Sequence, residues 1–259
     1  MKTPTVEDAL YPCVFASCII FIRIKILYHI LQAGDRMVEP YIHKLFKMKE
    51  LYDQNTAKIE DGDPKYFVNE EVQGSIYLTK QGLSLSEDVD KALFTYPWKH
   101  YYDWADVYQL DTIQIGDIGE NVSVLEMDEY SVFLGDTYQV GEAVIQVSQP
   151  YLPTWRLAKH LQMEDFALQM QQSGRTGWYF RVLQEGDIQA EQDMELLDRP
   201  YPQWSLAACN EVMHRFREDL RLADDLLQCD VLGKTWKTLL KKRLRGIPLR
   251  TKSRLFGPK

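Results

Sequence analysis

Two hydrophobic patterns divide this chain. Residues 14–31 carry eleven Val, Ile, Leu and Phe side chains, a density that has to be tested first as a membrane span. Those residues contribute roughly 3 to 6 kcal/mol on an insertion scale, whereas the central Arg23 and Lys25 cost roughly 5 to 7, so spanning is not favoured. The acidic Glu7 and Asp8 ahead of the run also disagree with the basic leader of a signal peptide. From Ile20 to Ile26 isoleucine alternates with Phe21, Arg23 and Lys25, the period of a one-faced strand. A polar-leading segment restarts at Met37, so residues 1–36 read as an extension outside the domain proper.

Beyond Met37 the period is short. Between Asp61 and Leu83 the pattern is turn, strand, turn, strand, punctuated by Gly74 and Gly82. Residues 91–108 are dense in aromatics, and Pro97 interrupts a helix beginning near Asp90, which predicts a short helix, a break and a second helix. After Asn121 come strands at Tyr130–Leu134 and Thr137–Val140 about a Gly135-Asp136 turn, then Ala143–Gln149, where Ile145 and Val147 alternate with Gln146 and Ser148. Pro150 and Pro153 stop that strand. Two short helices over Trp155–Leu161 and Glu164–Gln172, a hairpin of Gly177–Leu183 with Gly186–Ala190, and a last strand at Met194–Leu197 follow. Many short strands with few helices predict a mainly β barrel rather than a doubly wound sheet.

Pro200 and Pro202 mark the exit into a helical tail. Ser205 can cap a helix running to about Phe216, a second lies around Asp224–Leu227, and a third spans Lys234–Leu244. In the third, Trp236, Leu239, Leu240 and Leu244 form one stripe, opposite Lys237, Lys241 and Arg245. The organisation expected is an extension (1–36), a barrel (37–200) and a helical tail with a basic C-terminus (201–259).

Charge sharpens this picture. The net charge of −8 conceals ten Lys/Arg and no Asp/Glu in residues 234–259, leaving −18 on the rest. Such a split marks either an arm for nucleic acid or membrane, or a tail that docks on its own acidic body. The second is the expectation. Four cysteines without CxxC or zinc spacing fit a reducing cytoplasm, and the five histidines are scattered. No P-loop, GxGxxG, HExxH or GxSxG occurs, which leaves nucleotide cradling, zincin chemistry and the hydrolase elbow without support.

One linear series remains: Asp90-Lys91-Ala92, Tyr96-Pro97, His100-Tyr101, Gly119-Glu120-Asn121, Gly135-Asp136, Gly141-Glu142, Ser148-Gln149-Pro150, Pro153, Gly177-Trp178 and Arg181. In order and spacing it resembles the MOSC family (molybdenum cofactor sulfurase C-terminal domain), in its YiiM-type bacterial branch with a three-helix tail. The resemblance covers roughly residues 38–245. It implies a β-barrel that binds the molybdenum cofactor or a related molybdenum/sulfur species, with molybdenum-ion and pyridoxal-phosphate binding among the family's associations. It also implies a redox partner and oxidoreductase activity on N-hydroxylated compounds, including modified purines. In such proteins a cysteine after the SQPxxP strand is the sulfur carrier or metal ligand, since a thiolate is both soft ligand and nucleophile.

At that position this chain has Thr154, and Tyr151 stands where family members commonly have arginine. The family's Gly-Asp-x-Gln and His-Gly-Gly stretches before Asp-Lys-Ala are also missing, because Leu83 reaches Asp90 through SLSEDV alone. Residues left to hold an anionic ligand are Lys91 as a charge, Asn121 and Gln149 as amides, Arg181 as a bidentate fork, and Glu120 beside Asn121. Each has a plainer alternative: a solvated Lys91, an Arg181 paired with an acidic neighbour, a Glu120-Asn121 that shapes a turn. Three functions follow: a cofactor-binding redox protein without the cysteine, a catalytically silent protein that binds a small molecule or partner, and, less favoured, a nucleic-acid protein using the basic tail.

Overall fold

The computed structural model describes residues 39–48, 69–83, 86–108 and 113–258. The extension of residues 1–36, with its expected Ile20–Ile26 strand, lies outside the described residues. Ten strands are described: β1 (Tyr41–Met48), β2 (Asn69–Glu71), β3 (Ser75–Leu78), β4 (Leu93–Pro97), β5 (Val122–Leu125), β6 (Thr137–Val140), β7 (Ala143–Pro150), β8 (Trp178–Gln184), β9 (Gly186–Gln189) and β10 (Glu195–Asp198). Eight form one sheet in the order β10-β6-β7-β8-β4-β5-β1-β2, and β3 pairs with β9. The large sheet curls until its ends approach. Ile42 N donates to the Gln192 carbonyl, Glu191 N to the Ile42 carbonyl and Met194 N to the Pro40 carbonyl, so β1 meets the segment that leads into β10. Leu45, Val122, Val124, Val147, Trp178 and Phe180 fill the curl.

The aromatic stretch departs from its sequence pattern. Only a 3-10 turn forms at Val89–Lys91, and the expected break is the strand β4, buried along its whole length. It pairs parallel with β5 and antiparallel with β8, so a continuous apolar run is what both faces require. Pro97 ends this strand, and helix α1 (Lys99–Tyr108) begins beyond it. Two more corrections concern pairing. Residues 130–134 form no strand: Asp128 Oδ1 accepts from Tyr130 N and Ser131 N, and this side-chain turn displaces a ladder. The expected hairpin does not form either, because β8 is already held between β7 and β4 and β9 turns to β3.

Helices α2 (Trp155–His160) and α3 (Phe166–Ser173) follow β7, and the tail contributes α4 (Leu206–His214), α5 (Leu220–Leu227) and α6 (Lys234–Leu244). Ser205 Oγ accepts from Ala208 N as the α4 cap. Trp236 and Leu240 of the predicted stripe are buried, in a tail core with Trp204, Val212 and Leu226. A fourth tail helix, α7 (Thr251–Phe256), was not evident in the sequence. Its Leu255 joins Trp104, Leu157, Phe166 and Met170 in a second core between the sheet and helices α1 to α3. Among the described residues no helix is long and apolar enough to cross a membrane.

Candidate functional site

Asp90 sits where barrel and tail meet. Its carboxylate accepts from Arg181 Nε at 3.1 Å and from the backbone Lys234 N at 2.8 Å, the first amide of α6. Arg181 also donates to Gln146 Oε1 at 3.0 Å and to the Val231 carbonyl at 2.7 Å. Ser148 Oγ donates to the Asp90 carbonyl, Gly233 N to the Ser148 carbonyl, and Trp236 Nε1 to the Pro150 carbonyl. Gln149 is buried against this joint with Oε1 unpartnered, and a Cβ on Gly233 would come within 2.2 Å of that atom. Arg181, expected as a fork for an oxyanion, is therefore committed to Asp90 and the tail.

Glu120 and Asn121 hold the opposite side of the barrel together. Asn121 Oδ1 accepts from Phe94 N at 2.9 Å, and its amide reaches the Phe46 carbonyl at 3.4 Å, linking β4 to β1. Glu120 is fully buried; Tyr101 Oη donates to its carboxylate at 2.7 Å and Gly116 N at 2.9 Å. Burial pushes the Glu120 pKa up to about 7, against the lowering effect of the Tyr101 and backbone hydrogen bonds.

The Thr154 position is built differently. Thr154 is the N-cap residue of α2, with φ −127° and ψ 155°, yet its side chain caps no backbone amide. Instead Thr154 acts on the Tyr151 hydroxyl, whose ionised form it favours. The Tyr151 ring stacks on Phe94 with centroids 4.6 Å apart, and Tyr179 lies 5.4 Å from Phe94 and 5.9 Å from Tyr151. Burial raises the Tyr151 pKa to about 12, with Thr154, Arg254 and Arg156 acting the other way. Burial also raises Tyr179, and Tyr151 and Asp88 add to it. Asp88 pairs with Lys91 at 3.2 Å. One wall thus runs from Lys91 and Asp88 through Tyr179, Phe94 and Tyr151 to Thr154.

Arg254 of α7 closes the far end, donating to the Pro153 carbonyl and to Gln171 Oε1. Of the expected site residues, Lys91 and Thr154 share this wall, Arg181, Glu120 and Asn121 are used in holding strands and tail together, and Gln149 lies buried against the joint with its side-chain oxygen unpartnered. Sequence reasoning had marked Tyr151 only as a departure and had missed Phe94, Tyr179 and Arg254. The aromatics carried no local signal, because in sequence they are indistinguishable from core.

Chemically the wall offers rings, three hydroxyls and two cations, and no thiolate. Cys209 and Cys229 are both buried in the tail core, and burial raises their pKa values, that of Cys229 to about 11. Among the described residues no group of three His, Cys, Asp or Glu side chains is placed to hold a metal ion. These donors do not fit a thiolate-anchored molybdenum centre.

A family model described as the MOSC domain matches residues 69–195. Protein YiiM of Escherichia coli (strain K12) is 33% identical over 224 residues, spanning 81% of this chain and 100% of that protein. The crystal structure of YiiM from Geobacillus stearothermophilus is similar with a TM-score of 0.69 at 30% identity, covering 79% of this chain and 99% of the other. A protein of Gibberella moniliformis (strain M3125 / FGSC 7600) named Reductase is 32% identical over 164 residues, 61% of this chain and 29% of that protein. With the curled sheet, the helical tail and full coverage of a relative in agreement, this chain belongs to the MOSC domain family, in its YiiM-type branch.

Proposed function

We propose that this chain is a MOSC-domain protein that binds a planar small molecule against the Tyr151–Phe94–Tyr179 wall without thiolate chemistry. The observation that carries the reading is Thr154 at the end of a wall in which the buried Tyr151 ring stacks on Phe94, at the place where a sulfur-handling cysteine would need a free path to its ligand. A threonine hydroxyl is neither a soft metal ligand nor, at neutral pH, a thiolate-like nucleophile. Tyr179 is half-buried, and stacking of a planar ligand on its ring would be worth about 0.5–1.5 kcal/mol beyond burial. The Tyr and Thr hydroxyls add hydrogen bonds to fix orientation.

The alternative is a reductase of N-hydroxylated compounds, favoured by the name of the Gibberella moniliformis relative. Turnover of an N-hydroxylated purine, with an electron donor supplied, separates the two. The expected result is no reduction by the wild type, no persulfide, and saturable binding of a planar purine that Tyr179→Ala weakens. Wild-type turnover that Thr154→Ala leaves unchanged would overturn the proposal and place the chemistry elsewhere. A Thr154→Cys variant tests the lost step directly. Its thiol should react with iodoacetamide faster than Cys209 or Cys229, because Arg254 favours the thiolate there.

A further inference from the structure

Several arginines are paired with carboxylates. Arg175 meets Asp103 at 3.1 Å, Arg181 meets Asp90 at 2.8 Å and Arg199 meets Asp136 at 2.8 Å. Arg243 forms no ion pair among the described residues, though Glu218 favours its charge, and it donates to the Val212 and Met213 carbonyls at the C-terminal end of α4, where the helix presents partial negative charge. The Arg254 guanidinium is held by the Pro153 carbonyl and the neutral Gln171 amide, and among the described residues no carboxylate is paired with it. Burial works against its protonated form and Arg217 adds to that, with Tyr151 acting the other way, and Arg254 in turn disfavours a charged His214. Removing a cation from water without a counter-charge is costly, and each neutral hydrogen bond offsets only part of that.

The place of this cation gives it a use. It is anchored to the carbonyl immediately before Thr154 and acts electrostatically on the Tyr151 hydroxyl, at one end of the aromatic wall. At the other end Lys91 is already neutralised by Asp88. We infer that Arg254, delivered by the C-terminal helix α7, recognises an oxyanion on the ligand, a phosphate or a carboxylate, and so fixes which end of a planar ligand lies beside Thr154. This rests on the ligand-binding reading above. A guanidinium has five donors and two are used here, so donors remain for an oxyanion.

The test is calorimetric titration of the full chain with phenyl phosphate, benzoate and benzyl alcohol, together with thermal melts in inorganic phosphate. The wild type should bind one or both anionic probes at least about tenfold tighter than benzyl alcohol, the scale of a hydrogen bond to a charged group. Arg254→Gln, which keeps an N–H for Pro153, should abolish that preference and leave benzyl alcohol binding unchanged. Arg254→Lys should restore part of it. Phenyl phosphate or benzoate, whichever gains more, names the oxyanion. Inorganic phosphate should raise the melting temperature of the wild type and not of Arg254→Gln. If no aromatic probe binds while this phosphate shift still requires Arg254, the anion site stands and the planar-ligand reading falls. Equal binding of charged and neutral probes, or a phosphate shift that survives Arg254→Gln, would overturn the inference. So would loss of binding and folding together in both variants, since Arg254 would then serve only to dock α7.

Discussion

Glu120 shows how far a side chain's environment can depart from its sequence label. In the sequence it stood in a Gly-Glu-Asn triplet with two readings, ligand contact or turn former. The structure buries it completely under Tyr101 and the Gly116 amide and raises its pKa from 4.5 to about 7. A carboxyl whose folded pKa is raised binds protons on folding. Its stabilisation is present in full below about pH 4.5 and is lost as pH rises through about 7, a span of about 3 kcal/mol. Urea unfolding of wild type and Glu120→Gln should show the variant gaining about that much relative to wild type between pH 4.5 and pH 8. A gap that does not change with pH would mean that Glu120 is ionised and paired in the fold. At the same scale, Thr154 was visible in sequence because its type was wrong for its position, whereas Arg254 was invisible. What marks Arg254 out is its place, half-buried against the Pro153 carbonyl beside Thr154, a property of three-dimensional surroundings.

Among elements, the joint between barrel and tail carries the load that sequence assigned to ligand binding. Asp90 sits on the 3-10 turn, Arg181 on β8, Ser148 on β7, and Lys234 opens α6. Their hydrogen bonds converge on one carboxylate and its own carbonyl. Arg181→Ala leaves Asp90 and the Val231 carbonyl short of a partner in a mostly buried place, and should destabilise by about 3 kcal/mol. Limited proteolysis of that variant should cut within residues 199–233 first, because α6 loses its attachment to β7 and β8. Unchanged stability would return Arg181 to the list of ligand contacts. The same scale explains the misread elements. The β4 segment looked like an interrupted helix because its apolar run has no period, and only its position between β5 and β8 makes such a run necessary. The β8–β9 hairpin looked reasonable because turn signals are local, while strand partners are chosen by the whole sheet.

For the whole molecule, closure of the sheet predicts independence from the extension. Among the described residues, the hydrogen bonds that join the two ends of the curled sheet involve Pro40, Ile42 and residues 191–194. A chain beginning at Met37 should therefore express, remain soluble and melt cooperatively within a few degrees of full length. Aggregation, or loss of the transition, would make the Ile20–Ile26 segment a structural part of the fold. The basic tail bears on the same scale. Arg243 and Arg254 dock on carbonyls of α4 and of residue 153, so part of the tail's charge is turned inward. For these two the tail docks on backbone carbonyls and not on the acidic side chains that the charge split had suggested.

The sequence by itself determined the class of fold, the cap at Ser205, the limits of α6 and the family. All of these rest on local spacing, on residues whose chemistry acts within a turn or two of their own position. It also determined that position 154 cannot hold a thiolate. Only the tertiary structure decided which strands pair, that Arg181 serves the joint, that Phe94 of β4, Tyr151 just after β7 and Tyr179 of β8 form one wall, and that Arg254 meets no carboxylate among the described residues. Each of these depends on which distant segments the sheet and the tail core bring within a few ångströms, and burial and counter-charge exist only once those segments have met.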